Sequence, residues 1–285
     1  MQEISPHVYI ETAYAGVTLG AISWTHGLIL IDAPFRAEDA RSWRSALLNL
    51  GGGVDRLLIN LDAHFDRTLG ARAMDCTILG HEKLVQVFRA RPVTFKSQSS
   101  ETGAEWELYN GLGSIRWSPP EITFSHALAI HWDSRPLALD YHPGPASGAI
   151  WATLPEQKIL FVGDAVIAGQ PPFLANADLP AWLETLDVLL QPQYQDYILI
   201  GGRNGLINRQ DVLQQRTVLE KIHTHMETLA AQQAQPEETL TLLKPLLSEY
   251  PAPQPREAQF EQRLRWGLVQ YFIRHYRSTG SELEE

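Results

Sequence analysis

The chain has 285 residues, 44% of them hydrophobic and 20% charged, with a formal net charge of −10 and a single cysteine, Cys76. This length carries a sizeable core and this apolar fraction excludes a disordered chain, while one cysteine excludes a disulfide framework or a Cys-rich zinc module. An acidic balance gives no broad footprint for nucleic acid, the apolar runs are strand-length rather than membrane-spanning, and no basic-then-apolar leader opens the sequence, so a cytoplasmic protein is expected.

Taken in chain order, residues 8–11, 17–24 and 28–32 read as strands, with Thr25-His26-Gly27 at a hairpin turn. Over residues 38–50 the apolar side chains Ala40, Trp43, Leu47 and Leu50 recur at helical spacing, and Gly51-Gly52-Gly53 ends the helix. Residues 56–60 form a short buried strand that leads into a polar loop over 61–68. A strand over 77–79 and a helix over 82–90 follow. Residues 91 to about 120, with Trp106, Tyr109 and Trp117, are expected to be an irregular insertion lying over a site.

The second half repeats the theme. Strands are predicted over 128–132, 136–141, 149–154 and 158–162, an amphipathic helix over 181–190, and a strand over 197–201 that ends in glycine. After Asn208 the chain reads as helical in three segments, separated near Pro236 and near Pro251 and Pro255. Two β-rich halves with helices outside suggest an α/β protein built as a four-layer αββα sandwich. Its bounds are residues 1–215, with a helical C-terminal extension over 216–285 packed on it.

Candidate chemistry sits on four connecting loops. Asp62-Ala63-His64-Phe65-Asp66-Arg67 follows a strand, and alternate positions of an extended loop point the same way, so 62, 64 and 66 converge on one pocket. Pro143-Gly144-Pro145-Ala146-Ser147-Gly148 precedes a strand. Leu160-Phe161-Val162-Gly163-Asp164 ends a strand in a carboxylate. Gly201-Gly202-Arg203-Asn204-Gly205 follows a late strand and offers backbone N–H groups with an arginine to an anion.

In this order and at these strand ends, the four loops resemble those of the metallo-β-lactamase fold superfamily, over residues 8 to about 215. The resemblance implies hydrolase ancestry and a two-metal site of imidazole and carboxylate ligands. Carried over position by position, His64, Asp66 and Asp164 keep the usual residue and Asp62 is an acceptable oxygen ligand. Pro145 has no ligating side-chain atom, with Ser147 a weak neighbour. Arg67 and Arg203 stand where histidines belong, and a guanidinium is protonated and accepts nothing. The resemblance therefore implies a degraded di-metal site in which Arg–carboxylate pairs occupy the place of the second metal.

Two functions are weighed for this cleft. In the favoured one, no cofactor is bound and Arg67, Arg203, His142 and Ser147 hold a small, anionic ligand with little or no hydrolase activity. In the alternative, Asp62, His64 and Asp164, with His142 as an improvised fourth ligand, hold one zinc, iron or manganese ion, and Asp66 assists hydrolysis of an ester, thioester or lactone. A third reading uses the last helix as a homodimer contact. In that helix Phe260, Leu264, Leu268, Tyr271 and Phe272 form an apolar face; the favoured expectation is that it packs on its own sandwich with Arg256, Arg263, Arg265, Arg274 and Arg277 outside, the dimer contact being the alternative.

Overall fold

The computed structural model describes residues 1–96, 102–109, 112–252 and 256–277. The strands are β1 (Gln2–Ser5), β2 (Val8–Glu11), β3 (Leu19–Ser23), β4 (Gly27–Ile31), β5 (Asp55–Ile59), β6 (Thr77–His81), β7 (Thr94–Lys96), β8 (Ser114–Arg116), β9 (Ile122–Phe124), β10 (Ala127–Ile130), β11 (Leu137–Tyr141), β12 (Ile150–Leu154), β13 (Ile159–Gly163), β14 (Ile198–Gly201) and β15 (Leu206–Ile207). The helices are α1 (Ala37–Leu47), α2 (Phe65–Thr68), α3 (Glu82–Ala90), α4 (Leu179–Leu189), α5 (Arg209–Ala231), α6 (Leu243–Glu249) and α7 (Arg256–Phe272).

Among the described residues, β1 to β6 and β9 form one sheet in that order, and β10 to β15 form a second, also in sequence order. Within each sheet antiparallel hairpins give way to parallel neighbours: β4, β5 and β6 in the first, β13 and β14 in the second. Parallel neighbours need crossovers, and those crossovers are where helices and long loops enter.

The layers follow from which side chains each sheet turns outward. Alternate residues such as Ile22, Ile29, Ile31 and Ile59 of the first sheet meet Leu139, Ile150, Ala152 and Phe161 of the second, forming the core between them. The opposite face of the first sheet (Leu19, Ala21, Leu28, Leu30) packs on Ala40, Trp43 and Leu47 of α1. The opposite face of the second (Trp151, Leu160, Val162, Leu199) packs on α4 through Trp182, Leu186 and Leu189, and onward to α5, α6 and α7. This is the αββα sandwich.

Helix α5 runs unbroken across residues 215 and 216, and its buried residues Val212, Val218, Leu219 and Ile222 share one core with α4 and α7. The apolar face of α7 (Phe260, Leu264, Leu268, Tyr271, Phe272) lies in that same core. Arg263, expected outside, is only 1% exposed, which corrects the reading of α7 as a helix with its arginines in solvent. Among the described residues, no helix is long and apolar enough to cross a membrane.

The stretch from 91 to 120 is more ordered than its sequence suggests. It holds the β7–β8 hairpin, paired as Thr94 with Arg116 and Phe95 with Ile115, and a 3-10 turn at Glu105–Leu108. Residues 97–101 and 110–111 of the expected insertion lie outside the described residues. Phe95, Ala104 and Trp106 pack with Phe35 and Leu69 over the loop after β5, so the segment does cover the site. Its strands escaped notice because each is three residues long, too short to display a period.

Candidate functional site

Five loops meet where strands of both sheets end. Asp32 follows β4, residues 60–68 follow β5, residues 142–148 follow β11, Asp164 follows β13 and Arg203 follows β14. Ligands of open α/β sheets gather at such carboxyl ends. Backbone bonds fix these loops to each other: Ala33 N donates to Arg67 O at 3.2 Å, Thr18 N to Gly202 O at 2.8 Å, and Gly202 N to Gly163 O at 2.7 Å.

The loop after β5 is not extended throughout. His64 is the N-cap of the short helix α2, its Nδ1 accepting from Asp66 N at 3.2 Å, while His64 N donates to Asp62 Oδ1 at 2.7 Å. Asp66 Oδ2 stays 3.7 Å from His64 Nδ1, but Asp66 does not line the cavity that Asp62 and His64 line, correcting the expectation that alternation aims all three into one pocket. Asp66 is fully buried beneath the 102–109 segment, where Oδ1 accepts from Trp106 N at 2.9 Å and Oδ2 from Glu105 N at 3.3 Å. It does not line the cavity, so the role given to it in hydrolysis has no support in its position.

Both arginines turn inward. Arg67, 0% exposed, donates from Nη1 to Asp32 Oδ2 at 3.1 Å and from Nη2 to Asp164 Oδ1. Its Nε lies 3.2 Å from Asp62 Oδ1, a close charge contact that lacks hydrogen-bond alignment. Arg203 donates from Nε to both oxygens of Asp164 at 3.2 Å, from Nη1 to Asp66 Oδ2 at 2.8 Å, and from Nη2 to Asp164 Oδ2 and His64 Nδ1, each at 3.1 Å. Four buried carboxylates thus enclose two guanidinium forks. Asp32 is the member that sequence reasoning missed as a site residue. A carboxylate directly after the apolar run 28–31 was the available signal.

The electrostatics divide the carboxylates into two kinds. Burial opposes ionisation of Asp66 and Asp164, but Arg203 outweighs it at both, aided at Asp164 by Arg67, and holds each below the usual range. Burial wins at Asp32, pushed up to about 7 despite Arg67, and at Asp62, which is also raised. Burial, with the adjacent Arg203, pushes His64 down to about 3, so its ring is neutral at ordinary pH. Arg67 is itself raised, because its three carboxylates overcome the cost of burial.

These contacts decide what the donor set can hold. The one Nδ1 lone pair of His64 faces two N–H donors, and Asp164 faces two arginines. Pro145 supplies no donor. Among the described residues, no group of three or more His, Cys, Asp or Glu is placed to hold a metal ion. The donors present do not fit the family's metals.

A cavity of about 400 Å³ opens beside this network, and Asp62, His64, Asp164 and the exposed Ser147 line it. Arg67 does not, being enclosed by carboxylates. Arg203 lines a separate polar recess with Tyr14, Asp39 and Glu105. The expected contacts of Arg67 and Arg203 with a ligand in the cavity are therefore corrected: both are internal counter-ions. His142 is also elsewhere. Its ring stacks on Trp151 with centroids 3.6 Å apart, and burial pushes it down to about 4. The cavity's own cations are Arg91, Arg263 and Arg274, none of them foreseen as site residues.

Comparisons with known proteins agree with the geometry of the fold. Residues 76–201 match the family model of the metallo-beta-lactamase superfamily. No curated protein matches the sequence. A metallo-beta-lactamase family protein from Thermus thermophilus superposes with a TM-score of 0.60 at 20% identity, covering 98% of this chain and 96% of its own. A metallo-beta-lactamase from Pontibacter korlensis gives 0.59 at 19%, covering 77% and 97%. The stereoselective inverting sec-alkylsulfatase Pisa1 from Pseudomonas sp. gives 0.65 at 15%, covering 99% of this chain, which spans 51% of the sulfatase. With its αββα layers and its loops in this order, the chain has the metallo-β-lactamase fold, and residues 76–201 match the model of that superfamily.

Proposed function

We propose that this chain is a superfamily member in which two guanidiniums replace the metal charge, and that it binds a small ligand in the cleft without metal-dependent hydrolysis. The observation that carries this reading is the double fork: Arg67 and Arg203 both hold Asp164, the carboxylate at the family's bridging position. A cation entering there would face two fixed positive charges and would have to displace hydrogen bonds already formed to the carboxylate. The fold supplies hydrolase ancestry, but reaction lies in the site and not in the fold.

Metal analysis tests this on untagged protein purified without chelator. Well under one equivalent of zinc, iron and manganese is expected, and added zinc should leave the melting temperature unchanged. Stoichiometric metal that disappears in His64→Ala would overturn the reading and support a mononuclear hydrolase at Asp62, His64 and Asp164, which line one cavity.

A further inference from the structure

The cavity's lining is asymmetric in charge. Its acids, Asp62 and Asp164, are already neutralised by Arg67 and Arg203. Its cations are not matched in the same way. Arg263, from α7, is 1% exposed and bonds only neutral acceptors: Gly103 O through Nε and Nη2 at 3.1 and 2.9 Å, and Gln170 Oε1 and Pro171 O through Nη1 at 3.2 and 3.1 Å. Arg91 donates from Nη2 to Ala63 O at 2.7 Å and lies over Phe65, 4.3 Å from the ring centre. Exposed Arg274 bonds Asn176 Oδ1 at 3.0 Å. Among the described residues, no carboxylate forms an ion pair with any of the three.

The lining is asymmetric in hydrogen bonding too. Arg91 Nη1 and Trp106 Nε1 are buried donors without a partner, whereas no lining residue leaves a buried side-chain acceptor unpaired among the described residues. Both atoms are enclosed within the wall, so they face no ligand directly, but a lining with donors in excess of acceptors favours a ligand that brings acceptor oxygens. Beside the polar His64, Thr102, Ser147 and Asn176, the wall is apolar and aromatic, with Phe173 under the Arg263 guanidinium at 4.0 Å and Ile167, Leu174, Trp182 and Trp266 also lining it.

Resting on the proposal of a metal-free ligand cleft, we infer that the ligand is an amphipathic organic anion. An oxyanion head, carboxylate or sulfate, is drawn to the arginines of the lining, Arg91 and exposed Arg274 among them, and an apolar body fills the aromatic wall. Guanidinium forks recognise either head by paired, charge-assisted bonds, and the aromatic wall removes the body from water.

Calorimetry below the micelle concentration, with EDTA present, tests this using decanoate and decyl sulfate. At least one is expected to bind, and decanol and decyltrimethylammonium at least about tenfold more weakly. Arg91→Gln should reduce anion affinity by a similar factor and leave decanol binding unchanged. Should that variant not fold, Arg274→Gln and the loss of affinity with rising sodium chloride provide the same comparison. Equal binding of decanol and the anions, equal loss for both in Arg91→Gln, or no binding by either anion overturns the ligand class. Stoichiometric zinc alongside selective anion binding overturns only the metal-free reading.

Discussion

Arg203 and Asp164 face each other fork to fork: Nε reaches both carboxylate oxygens at 3.2 Å and Nη2 reaches Oδ2 at 3.1 Å, with both side chains buried. Asp164 also accepts from Arg67, so one carboxylate separates two cations that come from opposite sheets. Asp164→Asn removes that separating charge and leaves the two guanidiniums in one low-dielectric space. The expected loss is about 3–5 kcal/mol of stability, the cost of breaking a buried pair, read by urea denaturation. A loss no larger than that of a surface Asp→Asn change would show that the network carries little of the fold.

Gly202 is required where the network is tightest. A Cβ at this position would stand 2.7 Å from both Arg67 Nη2 and Asp164 Oδ1. Gly202→Ala should destabilise the protein by about 1–3 kcal/mol, as overpacking does. Thermal melting compared with Gly51→Ala, whose Cβ would meet nothing within 4 Å, separates crowding from a general glycine effect. Gly51 has a φ of 69°, so its own variant carries backbone strain and makes the comparison a stringent one.

Glu107 holds the segment over the cavity. Its carboxylate accepts from Thr102 N and Oγ1 at 3.0 and 2.7 Å, from Gly103 N at 2.8 Å and from Ala104 N at 3.3 Å. Glu107→Gln keeps one acceptor oxygen and should be mild. Glu107→Ala should accelerate amide exchange of Thr102, Gly103 and Ala104 by one to two orders of magnitude, roughly the loss of 1–3 kcal/mol of local hydrogen bonding. Unchanged exchange would assign the segment's order to Trp106 packing alone.

The pH response contains two opposing slopes. His64 is depressed to about 3, so its contribution is present above the unfolded value near 6.5 and lost as pH falls toward about 3. Asp66 and Asp164, also depressed, add to the acid loss below about pH 4. Asp32 is raised to about 7, so its contribution is fully present below about pH 4 and lost as pH rises through about 7. His142, depressed to about 4, opposes Asp32 in the same direction as His64, so His64→Gln should lower the slope of stability against pH between about 4.5 and 6.5 by up to about 1.4 kcal/mol per unit. Denaturation midpoints across that range, for variant and parent, should have clearly different slopes.

Much of the fold was legible because burial on both faces writes apolar runs. β12 and β13 are buried at every position, and both were placed within a residue or two from sequence. Strands that satisfy no period were missed: β1 on an edge, β9 with two exposed residues of three, and β15 with two residues. At the site, the loops carrying Asp62, His64, Asp164, Arg67 and Arg203 could be located because their order along the chain is distinctive. Which way each side chain points was not legible. Asp66 is turned by a helix cap, and His142 by stacking on Trp151, neither of which spacing encodes. Arg263 shows the same limit: helical periodicity places it beside the apolar face, but only Gly103 O and Pro171 O explain why a charge goes inside.

Arg263 also sets the order in which the protein can be completed. Asp32, Asp62, Asp66 and Arg67 precede Asp164 and Arg203 along the chain, and Arg263 follows all of them. Until residue 203 has left the ribosome, the early carboxylates have one arginine between them, and until α7 docks, Gly103 and the cavity wall lack their anchor. Long-range closure of this kind slows folding and lengthens the exposure of partly formed sheets. A nascent chain stalled before α7 should therefore be protease-sensitive around residues 102–109, and resistance should arrive with α7.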